Sequence, residues 1–243
     1  MINYPENKFE NFLATDLDGT LVGNDQACHE LFDYLKNNCA NLGLAYITGR
    51  HYESAGRLIE QKKLPAPDFL VSDVGTVIHF YKSGRIDELW RQKMNTGWQP
   101  DRIREVSIGI SGIIEQNLPD DCRISFTTET ADSAARLERV LKSEQIPHKF
   151  VFSSNRDIDI LPAGGGKGEA LKYIVSSFVN PAARILAAGD SGNDSEMLTA
   201  GYPSVIVANA QSELVELSAN INIFRATREY AAGILEAWRH FYE

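Results

Sequence analysis

A doubly wound α/β fold, with a Rossmann-like parallel sheet and an inserted α+β segment, is what the 243-residue sequence predicts. Three observations carry this. Short apolar runs alternate with helical stretches at the spacing of βαβ units, each run ends in a polar or glycine-bearing loop, and the alternation breaks between residues 80 and 160 before it resumes. With 43% hydrophobic residues, the chain has enough apolar surface for a packed core without disulfides or a structural metal.

The first apolar run, Asn11 to Thr15, reads as a buried strand that delivers Asp-Leu-Asp-Gly. A helix is expected over Asp25 to Asn38, a strand over Leu44 to Ile47 that stops at Thr48-Gly49-Arg50, a helix over His51 to Lys62 and a strand over Phe69 to Ser72. From Phe80 the pattern changes: strand Ile124 to Thr128, helix Ala134 to Glu144, and strands His148 to Ser153 and Ile158 to Leu161. Residues 80–160 are therefore expected to form an inserted domain, with 1–79 and 161–243 forming the core. The turn-rich stretches Tyr81 to Gly84 and Leu161 to Gly166 serve as its two hinges. The alternation then resumes with helix Gly168 to Phe178, strand Arg184 to Ala188, helix Ser195 to Ala200, strand Ser204 to Val207 and helix Tyr230 to Tyr242.

A formal net charge of −9 argues against a face built to hold a polyanion, so nucleic acid is not an expected partner. The opening residues MINYPENKFE lack the apolar stretch of a signal peptide, and no apolar run is long enough to span a bilayer. The expected setting is the cytoplasm, away from membranes. Cys28, Cys39 and Cys122 are odd in number and far apart, which suits reduced thiols packed as small apolar groups.

Four pieces carry chemistry. Asp16 and Asp18 stand two apart at a strand end, so on an extended backbone both side chains face one crevice and attract a hard cation. Asp190 and Asp194, in Gly-Asp-Ser-Gly-Asn-Asp, follow a second buried strand and add oxygen ligands. Lys167, after three glycines, offsets charge on a transferring phosphoryl group, and Thr48 with Gly49 offers it a hydroxyl and an amide. Each piece has a plain structural reading: a turn, a helix cap, a solvated lysine, a common Thr-Gly pair. A nucleotide-binding P-loop fails because Gly168, not Ser or Thr, follows Lys167. All four pieces at the ends of apolar strands point together to phosphoryl transfer.

In that order the motifs resemble those of the haloacid-dehalogenase-like hydrolases: Asp16-Leu17-Asp18-Gly19-Thr20, Thr48-Gly49-Arg50, Lys167, and Gly189 to Asp194. The resemblance implies Asp16 as nucleophile and Asp18 as general acid and base. It implies Mg²⁺ held by Asp16, the Asp18 carbonyl and Asp190 with support from Asp194, and phosphate held by Thr48 and Lys167. Gly49, Arg50 and Asn193 join the substrate-binding set. Only 29 residues separate Asp18 from Thr48, whereas 119 positions lead from Thr48 to Lys167, so the lid belongs to the second interval, in the branch whose lids are α/β.

Within that branch the chain is similar to sucrose-phosphate phosphatases over nearly its whole length, through Leu44 to Arg50, Val74 to Thr76, Phe152 to Pro162, Asn209 to Gln211 and Gly233 to Ala237. Gly19 departs from the Asn that several of those enzymes carry. The implied reaction is hydrolysis of a sugar phosphate, sucrose 6-phosphate first, with mannosylfructose phosphate or a glycosylglycerate phosphate as alternatives. The implied protein partner is a sugar-phosphate synthase. Arg156 and Asp157 are the candidate sugar contacts. A sugar phosphomutase and a catalytically silent sugar-phosphate-binding domain are the rivals; the first would isomerise without releasing phosphate, and the second would have lost a nucleophile or ligand.

Overall fold

The computed structural model describes residues 9–214, 217 and 222–243. The first stretch runs β1 (Phe9–Thr15), α1 (Asp25–Asn38), β2 (Leu42–Ile47), α2 (Tyr52–Gln61), β3 (Phe69–Ser72), β4 (Val77–Phe80), β5 (Arg85–Ile86) and α3 (Glu88–Asn95). Next come α4 (Pro100–Ser107), β6 (Ile113–Glu115), β7 (Ile124–Thr128), α5 (Ala131–Ser143), β8 (Lys149–Ser153) and β9 (Asp157–Leu161). The chain closes with α6 (Lys167–Phe178), β10 (Val179–Gly189), α7 (Ser195–Leu198), β11 (Ser204–Ile206), β12 (Ile223–Arg225) and α8 (Tyr230–Tyr242).

The strands form an eight-stranded sheet in the order β12-β11-β10-β1-β2-β3-β4-β5 and a four-stranded sheet in the order β6-β7-β9-β8. From β12 to β3 the large sheet is parallel; β4 and β5 add antiparallel strands at one edge. The chain leaves β1 toward β2 on one side and returns to β10 on the other. That reversal opens a crevice at the carboxyl ends of β1 and β10, where such folds bind ligands.

Alternation along β1 explains the layers. Leu13 points into a cluster with Leu31, Leu35 and Trp238, while Phe12 and Ala14 point to the opposite face with Leu171 and Ile174. Helix α1 starts where Asn24 accepts the Ala27 amide, and buries Ala27, Leu31 and Leu35 at helical spacing. The small sheet has its own core, in which Ile124, Phe126, Ile158 and Ile160 meet Leu137 and Leu141 of α5. Cys28, Cys39 and Cys122 are free thiols, the first two buried.

The break between the sheets falls later than the expected boundary at residue 80. Strand β5 pairs with β4, and Trp90 and Met94 of α3 are buried in the same cluster as Phe12. Burial of so large a side chain as Trp90, whose Nε1 donates to the Thr76 carbonyl, holds α3 to the large sheet. The expected helix over Ser195 to Ala200 is a 3-10 turn at Gly192–Asp194 followed by the single-turn α7.

Candidate active site

Asp16 is the first residue after β1, and its amide donates to Ala188 of the neighbouring β10 at 3.0 Å. Asp190 follows β10 itself, and Asp194 closes the 3-10 turn beyond it. Carboxylate oxygens of Asp16, Asp190 and Asp194, all three buried, lie within 4.8 Å of one another. The Lys167 ammonium, 1% exposed, donates to Asp16 Oδ1 at 2.7 Å and to Asp194 Oδ1 at 2.8 Å. Four residues from three segments, separated by as many as 178 positions, thus meet at one point.

Each carboxylate is aimed by its surroundings. The Thr20 hydroxyl donates to Asp190 Oδ1 at 2.7 Å. Asp194 Oδ2 accepts the amides of Asp190 and Ser191, so this side chain holds its own loop in shape. Gly19 has a φ of +80°, and a Cβ there would stand 2.4 Å from Asp190 Oδ2. In this chain glycine suits the position on both counts, because its left-handed backbone and its missing side chain make the space that Asp190 fills as it is placed here.

Three carboxylates against one ammonium leave two negative charges in excess, the charge of a single divalent cation. Burial pushes the Asp16 carboxyl up; Lys167 opposes the push, and Asp194 and Asp190 reinforce it. Burial, then Asp194, raises Asp190 to about 6. Burial works against the Lys167 ammonium, but Asp16 and Asp194 outweigh it and hold its pKa above the ordinary lysine value. Hard carboxylate oxygens crowded in this way, with Gly19 cleared from beside one of them, suit a hard divalent cation.

Asp18 is placed differently. Its carboxylate lies outside the buried cluster, half-exposed, in a two-pronged ion pair with Arg50: Nε to Oδ2 at 2.6 Å and Nη2 to Oδ1 at 2.7 Å. Thr48, 1% exposed, follows β2, and its hydroxyl oxygen accepts the Arg50 amide at 3.2 Å. The Asn193 side-chain amide faces Gly49, 3.9 Å from where a Cβ on that glycine would stand. Among the expected site residues, Asp16, Asp190, Asp194 and Lys167 are thus joined directly, while Asp18 and Arg50 form a second group beside Thr48.

Arg156 is exposed on the turn between β8 and β9, and Asp157 opens β9 half-buried, its carboxyl raised by burial. Among the described residues, neither has a contact that joins it to the acidic cluster. The same turn does meet the large sheet's loops, because the Ser154 amide donates to both Glu213 oxygens at 3.1 Å and Glu213 also accepts the Gly192 amide.

Two further links cross between the sheets. Lys149 of β8 donates to Glu196 at 2.6 Å and to the Gly165 carbonyl at 2.5 Å. Arg123, just ahead of β7, donates to the Gly49 carbonyl at 2.9 Å and lies 3.4 Å from Asp73, while its other arm holds Asp159 and Ser125. Asp73 and Val74 occupy left-handed backbone at φ 54° and 57°. For a β-branched residue such as Val74 that conformation costs on the order of 1–3 kcal/mol, a cost the surrounding contacts must offset. Sequence reasoning passed over Arg123, Asp73 and Glu213, since a single charged residue beside an apolar strand carries no local sign of a partner 50 or 74 positions away.

The sucrose-6F-phosphate phosphohydrolase family matches residues 9–242 of the chain. A mannosylfructose-phosphate phosphatase from Agrobacterium fabrum is 33% identical over 237 residues, covering 94% of this chain and 96% of the relative. Sucrose-phosphatase 1 from Nicotiana tabacum is 30% identical over 250 residues, 94% of this chain and 58% of the tobacco protein. In three dimensions the chain is similar to the sucrose-phosphatase of Synechocystis sp. PCC6803, solved in complex with sucrose and phosphate. That structure superposes with a TM-score of 0.89 at 33% identity, covering 96% of this chain and 98% of the other.

Proposed function

Because the chain belongs to the sucrose-6F-phosphate phosphohydrolase family, a membership that spans residues 9–242, we propose that it hydrolyses the phosphate ester of a disaccharide phosphate, sucrose 6-phosphate first. It is a phosphoric monoester hydrolase. The observation that carries this reading is the buried meeting of Asp16, Asp190, Asp194 and Lys167.

Asp16 attacks phosphorus; the new Asp16 oxygen–phosphorus bond forms as the bond to the sugar oxygen breaks. Asp18, protonated and released from its ion pair with Arg50, gives its proton to the departing ester oxygen of the sugar; as a carboxylate it then takes a proton from water, which attacks phosphorus and frees Asp16 and inorganic phosphate. Lys167 and the Thr48 hydroxyl hold the transferring group, and Gly49 and Asn193 line it. Asp16, Asp190 and the Asp18 carbonyl would hold Mg²⁺, with Asp194 behind them. When bound, that ion supplies the positive charge that lets an anionic carboxylate approach an anionic ester.

Within the expected segment 80–160, the four-stranded sheet with α4 and α5 would act as the substrate-selecting lid, with Arg156 and Asp157 as its sugar contacts and Arg50 facing the substrate from the core. Three free thiols suit a reducing, cytoplasmic setting. Among the described residues no helix is long and apolar enough to cross a membrane. Association with a sugar-phosphate synthase is supported by a glucosylglycerol-phosphate synthase of Pseudomonas anguilliseptica, 32% identical to this chain over 30% of its own length.

The test is phosphate release by purified protein with Mg²⁺ from sucrose 6-phosphate, mannosylfructose phosphate and a glycosylglycerate phosphate, for the wild type and Asp16→Asn. Release from one of them, abolished by Asp16→Asn, supports the reading. No release from any of the three overturns it, and isomerisation without release would mark a mutase.

A further inference from the structure

The geometry points to Arg123 as a positioning residue that reaches from the small sheet into the core and sets the direction in which the Thr48 hydroxyl donates. This inference rests on the reading of Thr48 as a phosphate contact.

Three consecutive carbonyls of the loop after β2 are tied back. Thr48 O accepts the Val74 amide at 3.1 Å, Arg50 O accepts the Asp73 amide at 2.8 Å, and Gly49 O accepts Arg123 Nη2 at 2.9 Å. Two of these ties come from the adjacent left-handed turn; the middle one comes from 74 positions away. The peptide that joins Gly49 to Arg50 is therefore pinned at both ends, its carbonyl by Arg123 and its N–H by the Thr48 oxygen at 3.2 Å. A hydroxyl that accepts one bond along a fixed direction has its own proton left to give elsewhere. With the peptide plane held, the Thr48 proton is aimed away from the Arg50 amide and toward the crevice.

Charge balance alone does not account for Arg123. Its Nη1 already satisfies Asp159 and the Ser125 hydroxyl, both on the small sheet, and its Nε lies 3.4 Å from Asp73. The arm that reaches Gly49 goes beyond what those anions require, and the planar guanidinium is the side chain that can serve all these directions at once. The guanidinium side chain is 8% exposed, so water does not compete for the contact. Seating of the small sheet on the core and readiness of the phosphate loop are in this way one event.

Arg123→Ala would leave Asp73 and Asp159 buried without a partner and is prone to misfold. Arg123→Lys keeps the positive charge and loses the fork, and is the working variant. Hydrogen–deuterium exchange over residues 48–52, read well below the melting temperature, needs no catalytic activity; exchange at the Arg50 amide rises about tenfold in Arg123→Lys for one lost buried hydrogen bond. Inhibition by inorganic phosphate, with Mg²⁺ present, supplies a double-mutant cycle with Thr48→Val. Each single variant weakens phosphate about tenfold, and the double variant about tenfold rather than a hundredfold, because both act through one hydroxyl. Wild-type exchange in Arg123→Lys, or fully additive losses, overturns the inference. Failure of the wild type to release phosphate from any sugar ester would instead count against the proposed function, leaving the exchange measurement to decide the role of Arg123.

Discussion

Gly19 and Asp190 are packed so closely that the glycine's missing side chain is part of the site: a Cβ would stand 2.4 Å from Asp190 Oδ2, at a backbone φ of +80°. Gly19→Ala is expected to turn the Asp190 carboxylate out of line with Asp16. Displacements near 1 Å cost about a hundredfold in rate, so kcat/KM should fall by about that factor while circular dichroism stays native. Steady-state phosphate release on the purified variant measures it.

Metal binding should be visible in stability before any turnover is assayed. An ion that neutralises the two excess charges binds the folded chain alone, and at about 100 times its Kd it adds about 2.7 kcal/mol. Thermal melts with and without Mg²⁺ should show that gain in the wild type and lose most of it in Asp190→Asn. Equal melting temperatures with and without Mg²⁺ in the wild type would contradict the assignment.

His79 gives the fold an acid-sensitive point outside the catalytic cluster. Its ring stacks on Tyr52 with centroids 4.1 Å apart, and its Nδ1 is buried without a hydrogen-bond partner among the described residues. Burial pushes its pKa down from 6.5 to about 4, against a smaller upward pull from Asp120. A depressed folded pKa means the stability is fully present above pH 6.5 and is lost as pH falls toward 4. Allowing for the solvent that reaches the ring, the loss is on the order of 2 kcal/mol. His79→Phe should flatten the melting temperature across that window; an unchanged slope would contradict the assignment.

Glu213 latches the small sheet to the loop that carries Asp190 and Asp194 through Ser154 and Gly192. Glu213→Ala is expected to raise KM for a disaccharide phosphate about tenfold, the worth of a hydrogen bond to a charged group. The loss should be smaller for a small aryl phosphate, which has no sugar for the lid to grip. By contrast, the Lys149–Glu196 pair has side chains 23% and 37% exposed and contributes at most about 1 kcal/mol. Lys149→Met should shift the melting temperature only slightly.

Runs of consecutive buried residues announce themselves, which is why Phe69–Ser72 was legible to the residue and why β1 and β10 could be seen to end just ahead of Asp16 and Asp190. So were helices with a long apolar stripe, such as α8 and the capped α1. The eight-residue helices α3 and α4 escaped: each buries only two side chains, so their periodicity is faint, although Asp87 caps the first and Pro100 opens the second. The two-residue β5 and the three-residue β6 and β12 are defined by pairing, which local sequence does not encode. At the site, residues on strand ends were readable because their position fixed their direction. Arg123 and Glu213 were not, because their roles exist only once two separate sheets have met.

The order of strands carries a consequence for how the protein comes into being on the ribosome. Strand β1, ahead of the other described strands in the chain, sits in the middle of the large sheet, and its partner β10 is synthesised some 165 positions later. The small sheet, compact and drawn from one continuous stretch, can mature while β1 still waits. Nascent chains that stop short of Asp190 and Asp194 should be inert however well their earlier portion has folded, and their exposed central strand makes them natural clients for chaperones.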